Sequence, residues 1–355
     1  MNKKAIIAMS GGVDSSVAAL LMQEKKHEII GTTLKLYDNN DLGLSNGHTC
    51  CSLSDVEDAR LAAYKLGVPY YVFNFVEKFH ENVINRFVKS YCNGSTPNPC
   101  LYCNRYIKFT ALLQRAKEID FDYVATGHYA RIENDGSRYL LKKGFDATKD
   151  QSYVLYNLTQ QQLAHTLFPL GELLKSQVRE IAAEYGFANA QKHDSQDICF
   201  VPNGNYVEFI ERYTGQHFPP GAFIDKKGNI IGTHKGIINY TIGQRKKLGL
   251  SSPTPCYVCQ KNPVNNTITV GDAQALLTNT LVAHDLNMIA VPKLDRPLRL
   301  KAKIRYHQIE QWATVEQTEE DTLHLIFDNP QRAITPGQAV VLYDGDIVLG
   351  GGIIA

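Results

Sequence analysis

Three observations predict an α/β protein with a parallel sheet, followed by a smaller all-β end. Short apolar, β-branched runs alternate with helix-like segments over the first 127 residues. A glycine-rich turn, "SGGVDSS" (10–16), joins the first of these runs to the first helix. From about residue 281 onward the apolar residues recur with the period of a strand, which predicts a small antiparallel β-barrel.

Taken in order, 5–9 (AIIAM) reads as a strand, 17–23 (VAALLMQ) as a helix and 29–37 (IIGTTLKLY) as a second strand. Segment 54–67 has Ser54 as N-cap, Glu57 three residues on and Gly67 at its end, the signature of a complete helix. Strand 70–75, helix 108–119 and strand 123–127 continue the alternation. In such sheets ligands sit beyond the carboxyl ends of the strands. A hairpin around Asn134-Asp135-Gly136 and an amphipathic helix over 170–187 follow. The stretch from about residue 202 is rich in Gly, Pro and Asn with short extended pieces, and "LRLKAKIRY", "WATVEQ", "TLHLIF" and "AVVLYDG" supply the closing strands. The division expected is 1–200, 201–274 and 275–355.

A chain of 355 residues is long enough for two or three domains. Lys and Arg number 37 against 36 Asp and Glu, so a nucleic-acid partner has to be engaged through local patches. The short "AIIAM" lacks the length of a signal peptide, and no apolar run approaches a membrane span, which predicts a cytosolic chain without membrane contact. In that compartment the eight cysteines read as reactive, metal-binding or buried thiols in preference to structural cross-links.

The turn at 10–16 follows a strand and opens a helix, so its amides point into one concavity at the positive helix end. Ser10, Ser15 and Ser16 add hydroxyls, and Asp14 offers a magnesium ligand or a helix cap. The Walker lysine is missing, since no Lys lies between Lys4 and Lys25, and the dinucleotide G-x-G-x-x-G is absent. A loop gripping phosphates through amides and hydroxyls suits attack at the α-phosphate with pyrophosphate leaving. An ordinary glycine-rich strand–helix turn is the plainer competitor.

This heptad resembles the pyrophosphate loop (PP-loop) of the ATP-pyrophosphatases, whose fold is that of the adenine nucleotide alpha-hydrolases. Further motifs narrow the resemblance: "STPNPCLYCNRYIKF" (95–109), "TGHYAR" (126–131), "TKDQSYVL" (148–155), "HDSQDICFVP" (193–202), "HKGIINYTIGQRKKLGL" (234–250) and "PGQAVVLYDGDIVLGGGII" (336–354). Together they are similar to the bacterial tRNA-specific 2-thiouridylases along the whole chain.

The resemblance implies adenylation by ATP, with Mg²⁺, of the C2 carbonyl of the wobble uridine in tRNA, then persulfide sulfur transfer giving 2-thiouridine. It places the nucleophile at Cys103, the persulfide at Cys199 and a transient Cys103–Cys199 disulfide between them. It puts ATP on Ala8, Met9, Ser10, Gly11, Gly12, Val13, Asp14 and Ser15, with Leu34 and Gly127. It puts RNA on Asn98, Pro99, Cys100, His128, Lys149, Asp150, Gln151, Arg305, Tyr306 and Gln338. A cysteine desulfurase or sulfur-relay protein and a disulfide reductant are the further partners implied.

Plainer readings stand beside these. Cys199 in "DICF" is also what a small buried hydrophobe looks like, and Leu34 is what plain core looks like. Cys103 sits in a turn-like stretch where Arg105 and Lys108 favour a thiolate. Many members of the family have Asp where this chain has Cys100. The three thiols of Cys100, Cys103 and Cys199 therefore offer a second route, sulfur delivery through an iron–sulfur cluster. "CYVC" (256–259) reads as a strand, so Cys256 and Cys259 point to opposite faces and make a poor zinc pair. Cys50, Cys51 and Cys92 have no spacing that assigns them a partner. "QRKK" (244–247) is a candidate phosphate patch or a solvated surface. Outside this resemblance, a small-molecule adenylating synthetase accounts for the loop without the cysteines, and a non-catalytic RNA-binding or zinc module for the cysteine pairs without the loop.

Overall fold

The computed structural model describes residues 3–38, 53–193, 198–201, 204–252 and 254–355. Four strands of the expected alternation, β1 (Lys4–Ala8), β2 (Glu28–Lys35), β3 (Tyr70–Asn74) and β4 (Tyr123–Thr126), form a parallel sheet with Thr166–Leu167. Their spatial order is β3-β2-β1-β4 and then the short edge.

Consecutive residues of β1 show why the sheet is covered on both sides. Ile6 and Ile7 are both fully buried, yet Ile6 belongs to one apolar cluster and Ile7 to another. Successive strand side chains alternate between faces, so a strand apolar at every position needs two cores. The Ile7 face is covered by α1 (Val13–Glu24), α2 (Leu53–Leu66) and, further along the chain, Lys175–Tyr185. The Ile6 face is covered by helices spanning 76–92 (α3) and 99–118 (α4).

Helix α4 begins nine residues before the expected 108, so Cys103 is helical and not in a turn. Asn98 caps it, accepting the Cys100 N–H at 3.1 Å, and Pro99 opens its first turn. Both α3 and α4 contain a wide π turn, at His80–Ile84 and Cys103–Ala111. Neither the π turns nor α3 had a local signal. Ser54 lies inside α2, which already includes Leu53. The helix expected over 170–187 is shorter, α5 (Lys175–Tyr185), because the Asp146 carboxylate accepts the Lys175 N–H at 2.9 Å and starts it there. Gly186, with φ 72°, ends it.

After α6 (Tyr206–Thr214) a four-stranded sheet is made by Gly221–Ile224, Ile230–His234, Tyr257–Asn262 and Thr267–Gly271. The last six strands form the expected barrel. The first of them, Leu277–Met288, pairs with the last, Ile347–Ile354, and so closes the ring. The hairpin at 130–143 is present, but it extends the barrel's sheet. Val348 pairs with Leu141, and the Asp346 carboxylate takes Arg131 at 2.8 Å.

Candidate functional site

The glycine turn lies at the carboxyl end of β1, where the strand order reverses between β1 and β4. Gly11 has φ 76°, and a Cβ there would stand 2.3 Å from the Asp55 carbonyl oxygen of α2. Gly12 is the extended N-cap of α1 and supplies no capping side chain, so the helix's first amides are left for an anionic ligand. Gly127 is needed for contact: its Cβ would lie 2.8 Å from the Asp14 carbonyl carbon.

Two of the three serine hydroxyls are engaged with the loop itself. Ser15 Oγ donates to the Gly12 carbonyl at 2.9 Å and accepts the Ser10 N–H at 3.2 Å, while Ser16 Oγ faces the same carbonyl. They hold the loop in shape. Asp14 neither caps α1 nor presents open oxygens to a metal. Lys175 Nζ contacts its two oxygens at 2.7 and 2.8 Å, and the Tyr129 hydroxyl donates to it at 2.8 Å. The residues do not fit a magnesium ligand at Asp14 in this arrangement, since a metal would have to displace the Lys175 ammonium.

Three residues that sequence reasoning missed surround the turn. Lys175 is 8% exposed. Asn189 Nδ2 donates to the Gly11 carbonyl and to Ser16 Oγ, both at 3.0 Å. Lys192 bridges Asp55 and Asp58 at 2.6 Å each, with the Gly11 carbonyl at 3.4 Å. The loop therefore has lysines, brought from more than 160 residues away. The available signal was two lysines flanking an amphipathic helix, which by itself reads as solvated surface.

Ala8, Met9 and Val13 sit at the strand end and first helical turn, as expected. Leu34 is buried in the Ile6 cluster, so here the plain core reading describes its surroundings.

A second centre lies where the barrel meets α4. Burial, with the charges of Asp150 and Cys100 acting on it, pushes the Tyr306 hydroxyl up to about 12. Thr148, Asp150, Lys301, Lys303, Tyr306 and Glu310 are among the residues lining a cleft of about 450 Å³. Asp150 is held by the N–H groups of Gly144 and Ser152. Lys149 is half-buried, and the Gln151 side-chain oxygen Oε1 accepts the Tyr129 N–H at 2.9 Å, linking this strip to Asp14. Gln338 donates to the Thr96 carbonyl at 2.6 Å and Thr96 N–H to Pro336, so the barrel grips the loop that leads to Asn98. The Arg305 guanidinium is turned to the Arg332 and Ala333 carbonyls.

One residue expected on RNA is buried, and one charge expected to favour the Cys103 thiolate is paired elsewhere. His128 is 8% exposed, packs against both Phe109 and Phe168, and has Nδ1 2.7 Å from the Thr126 hydroxyl. Burial holds it well below the ordinary histidine range, so it is neutral at physiological pH. Arg105 Nη1 donates to both Asp285 oxygens at 2.9 and 3.0 Å, so its charge is offset.

The thiols differ in setting. Cys100 is exposed, Cys103 is buried at 9% exposure and Cys199 is half-buried. Cys199 is fixed on both sides: the Tyr37 hydroxyl donates to its carbonyl at 2.7 Å, and Phe200 packs edge-on to Phe79 and Phe87. Cys103 and Cys199 thereby pack on one apolar cluster. Among the described residues no three His, Cys, Asp or Glu side chains are arranged to hold a metal ion. Cys100, Cys103 and Cys199 thus do not fit a cluster-binding set in this conformation. Cys256 Sγ faces Ser252 and Cys259 Sγ faces the Tyr257 carbonyl; the strand expected over 256–259 begins at Tyr257, after Cys256. Burial raises Cys92. Cys50 and Cys51 lie outside the described residues.

A parallel sheet with a phosphate-type turn at its switch point defines an α/β nucleotide-binding protein, and residues 3–203 match the family described as tRNA methyl transferase HUP domain. Residues 207–272 match its PRC-barrel domain and 278–354 an aminomethyltransferase beta-barrel domain. The tRNA-specific 2-thiouridylase MnmA of Clostridioides difficile is 53% identical over 100% of this chain and 98% of that protein. Its namesake from Acetivibrio thermocellus is 51% identical over 99% of each. Among solved structures, a 4-thiouridine synthetase–RNA complex with bound ATP aligns at 18% identity and a TM-score of 0.38, covering 60% of this chain and 50% of that one. The chain belongs to the tRNA-specific 2-thiouridylase family.

Proposed function

We infer that this protein is a tRNA-uridine 2-sulfurtransferase that adenylates the C2 oxygen of the wobble uridine and replaces it with sulfur. The observation that carries the reading is the pairing of two sites. A nucleotide turn opens beside Lys175, and one strip, Asp150-Gln151, connects it to a cleft lined by Asp150 and Tyr306. Full-length similarity to the curated 2-thiouridylases supports the same reaction.

The uridine C2 oxygen attacks the α-phosphate and pyrophosphate leaves, its charge met by the α1 amides and Lys175. Any magnesium would arrive as part of the ATP substrate, since Lys175 holds both Asp14 oxygens. Cys199 arrives as a persulfide, and Cys103 thiolate attacks its inner sulfur. The outer sulfur departs with the electron pair, adds to C2 and expels AMP. The product disulfide joins Cys103 and Cys199, and a two-electron reductant restores both thiols. A cysteine desulfurase or relay protein reloads Cys199, in the cytosol. Among the described residues no helix is long and apolar enough to cross a membrane. The base must leave its stack to reach the cleft.

Pyrophosphate release measured with and without unmodified tRNA tests the assignment, and release indifferent to tRNA removes it. Cys199→Ser is expected to accumulate adenylated RNA without accepting sulfur, and Cys103→Ser to retain a persulfide it cannot discharge. Radiolabelled sulfur found on Cys103 in preference to Cys199 reverses the two roles.

A further inference from the structure

The outer face of the barrel carries an arrangement that the reaction above does not use. Trp312, the chain's one tryptophan, is 46% exposed on strand Gln311–Glu319. Its direct cross-strand neighbour is Lys301, whose ammonium stands 5.4 Å from the indole centre, and the Arg299 guanidinium stands at 5.2 Å. Arg299, Lys301 and Lys303 alternate with the buried Leu300 and Ala302, so all three cations share the outer face.

Their charges are not equally compensated. Arg299 is neutralised by a bidentate pair with Asp328 at 2.6 and 3.1 Å. Lys301 and Lys303 make no ion pair among the described residues. Both line the cleft that also contains Asp150 and Tyr306. A continuous strip thus runs from that cleft over two uncompensated ammonium groups to an exposed indole. On a chain with formal net charge +1, such a strip is a local feature and not part of a general basic excess.

We propose that this strip is a second RNA contact, in which Lys301 and Lys303 bind phosphates flanking the reacting nucleotide and Trp312 stacks on an unpaired base. It rests on the thiolation reading for the identity of the RNA. Uncompensated cations beside an accessible aromatic face are the two elements that grip a single strand without reading its sequence. The strip is continuous with the cleft where the reacting base is proposed to enter.

Because Trp312 is the sole tryptophan, its fluorescence reports this spot alone. The experiment titrates the full-length protein with unmodified tRNA and follows both Trp fluorescence and the anisotropy of end-labelled tRNA. Quenching that saturates together with the anisotropy is expected. Lys301→Ala/Lys303→Ala is expected to weaken binding and to lower the slope of log affinity against log salt by about 1.4 to 1.8. Trp312→Ala is expected to weaken binding about fivefold or more. Unchanged thermal unfolding and ATP binding in each variant show that the fold is retained.

Anisotropy that reports binding while the fluorescence, the affinities and the salt slope stay unchanged overturns the proposal and leaves the thiolase reading intact. Wild-type protein that binds no tRNA by either readout overturns both. Variants that bind tRNA normally, yet lose thiolation with a protein sulfur donor and not with inorganic sulfide, assign the strip to a protein partner and overturn the RNA contact.

Discussion

Replacing Lys175 by Met separates a structural charge pair from a catalytic one. The ammonium lies against both oxygens of Asp14, with side-chain exposures of 10% and 30%. Removing one member of a fully buried pair costs about 3–5 kcal/mol. Asp14 is partly wetted and keeps its hydrogen bond from Tyr129, so the expected loss of stability is about 2 kcal/mol. The catalytic loss is larger. A cation about 4 Å from a phosphate oxygen, at an effective dielectric constant near 20, is worth about 4 kcal/mol, or roughly a thousandfold in rate. The assay is tRNA-dependent pyrophosphate release over a range of ATP concentrations, with thermal unfolding in parallel. In Asp14→Asn/Lys175→Met no carboxylate is left without its cation, so stability returns towards wild type while the rate stays low. A single variant within threefold of wild-type turnover, or a double variant that recovers the rate, refutes the reasoning.

Gly127→Ala brings a methyl group to 2.8 Å from the Asp14 carbonyl carbon and 2.9 Å from the Ser15 nitrogen. The expected result is about 1–3 kcal/mol lower stability and a raised KM for ATP, and an unshifted KM counts against the loop's position. Lys261 is buried, its Nζ has no hydrogen-bond partner among the described residues, and burial brings it down to about 8. The unfolded chain, with an ordinary lysine near about 10.4, binds the extra proton between those values, so wild-type stability rises with pH across that window. Lys261→Met is expected to be more stable at pH 7 by up to about 3 kcal/mol and to lack that rise. Differential scanning of the two proteins from pH 7 to 10 checks this, and parallel curves refute it.

Local features of the chain were legible where their cause lies within a few residues. An apolar run such as "AIIAM" has to be a strand buried on both faces, and two glycines after it have to turn. Asn134-Asp135-Gly136 has to close a hairpin, and the alternation in "LRLKAK" has to build a wall with one wet side. The same local grammar misread Cys103 as lying in a turn, since the cap at Asn98 and the π turn that continues the helix depend on packing against the sheet.

Contacts between distant segments had no such cue. Nothing near Lys175 says that it will meet Asp14, or near "ARIEN" that this hairpin will join the barrel's sheet. Nor does "TGHYAR" say that His128 will pack against Phe109 and Phe168. Backbone propensity and side-chain period act over one or two turns of chain, so the amino-acid order determined most of the strands, several helices and the glycine turn. Which charges neutralise one another, and which thiols share a core, is decided only when burying both faces of one sheet forces distant segments into the same dry space.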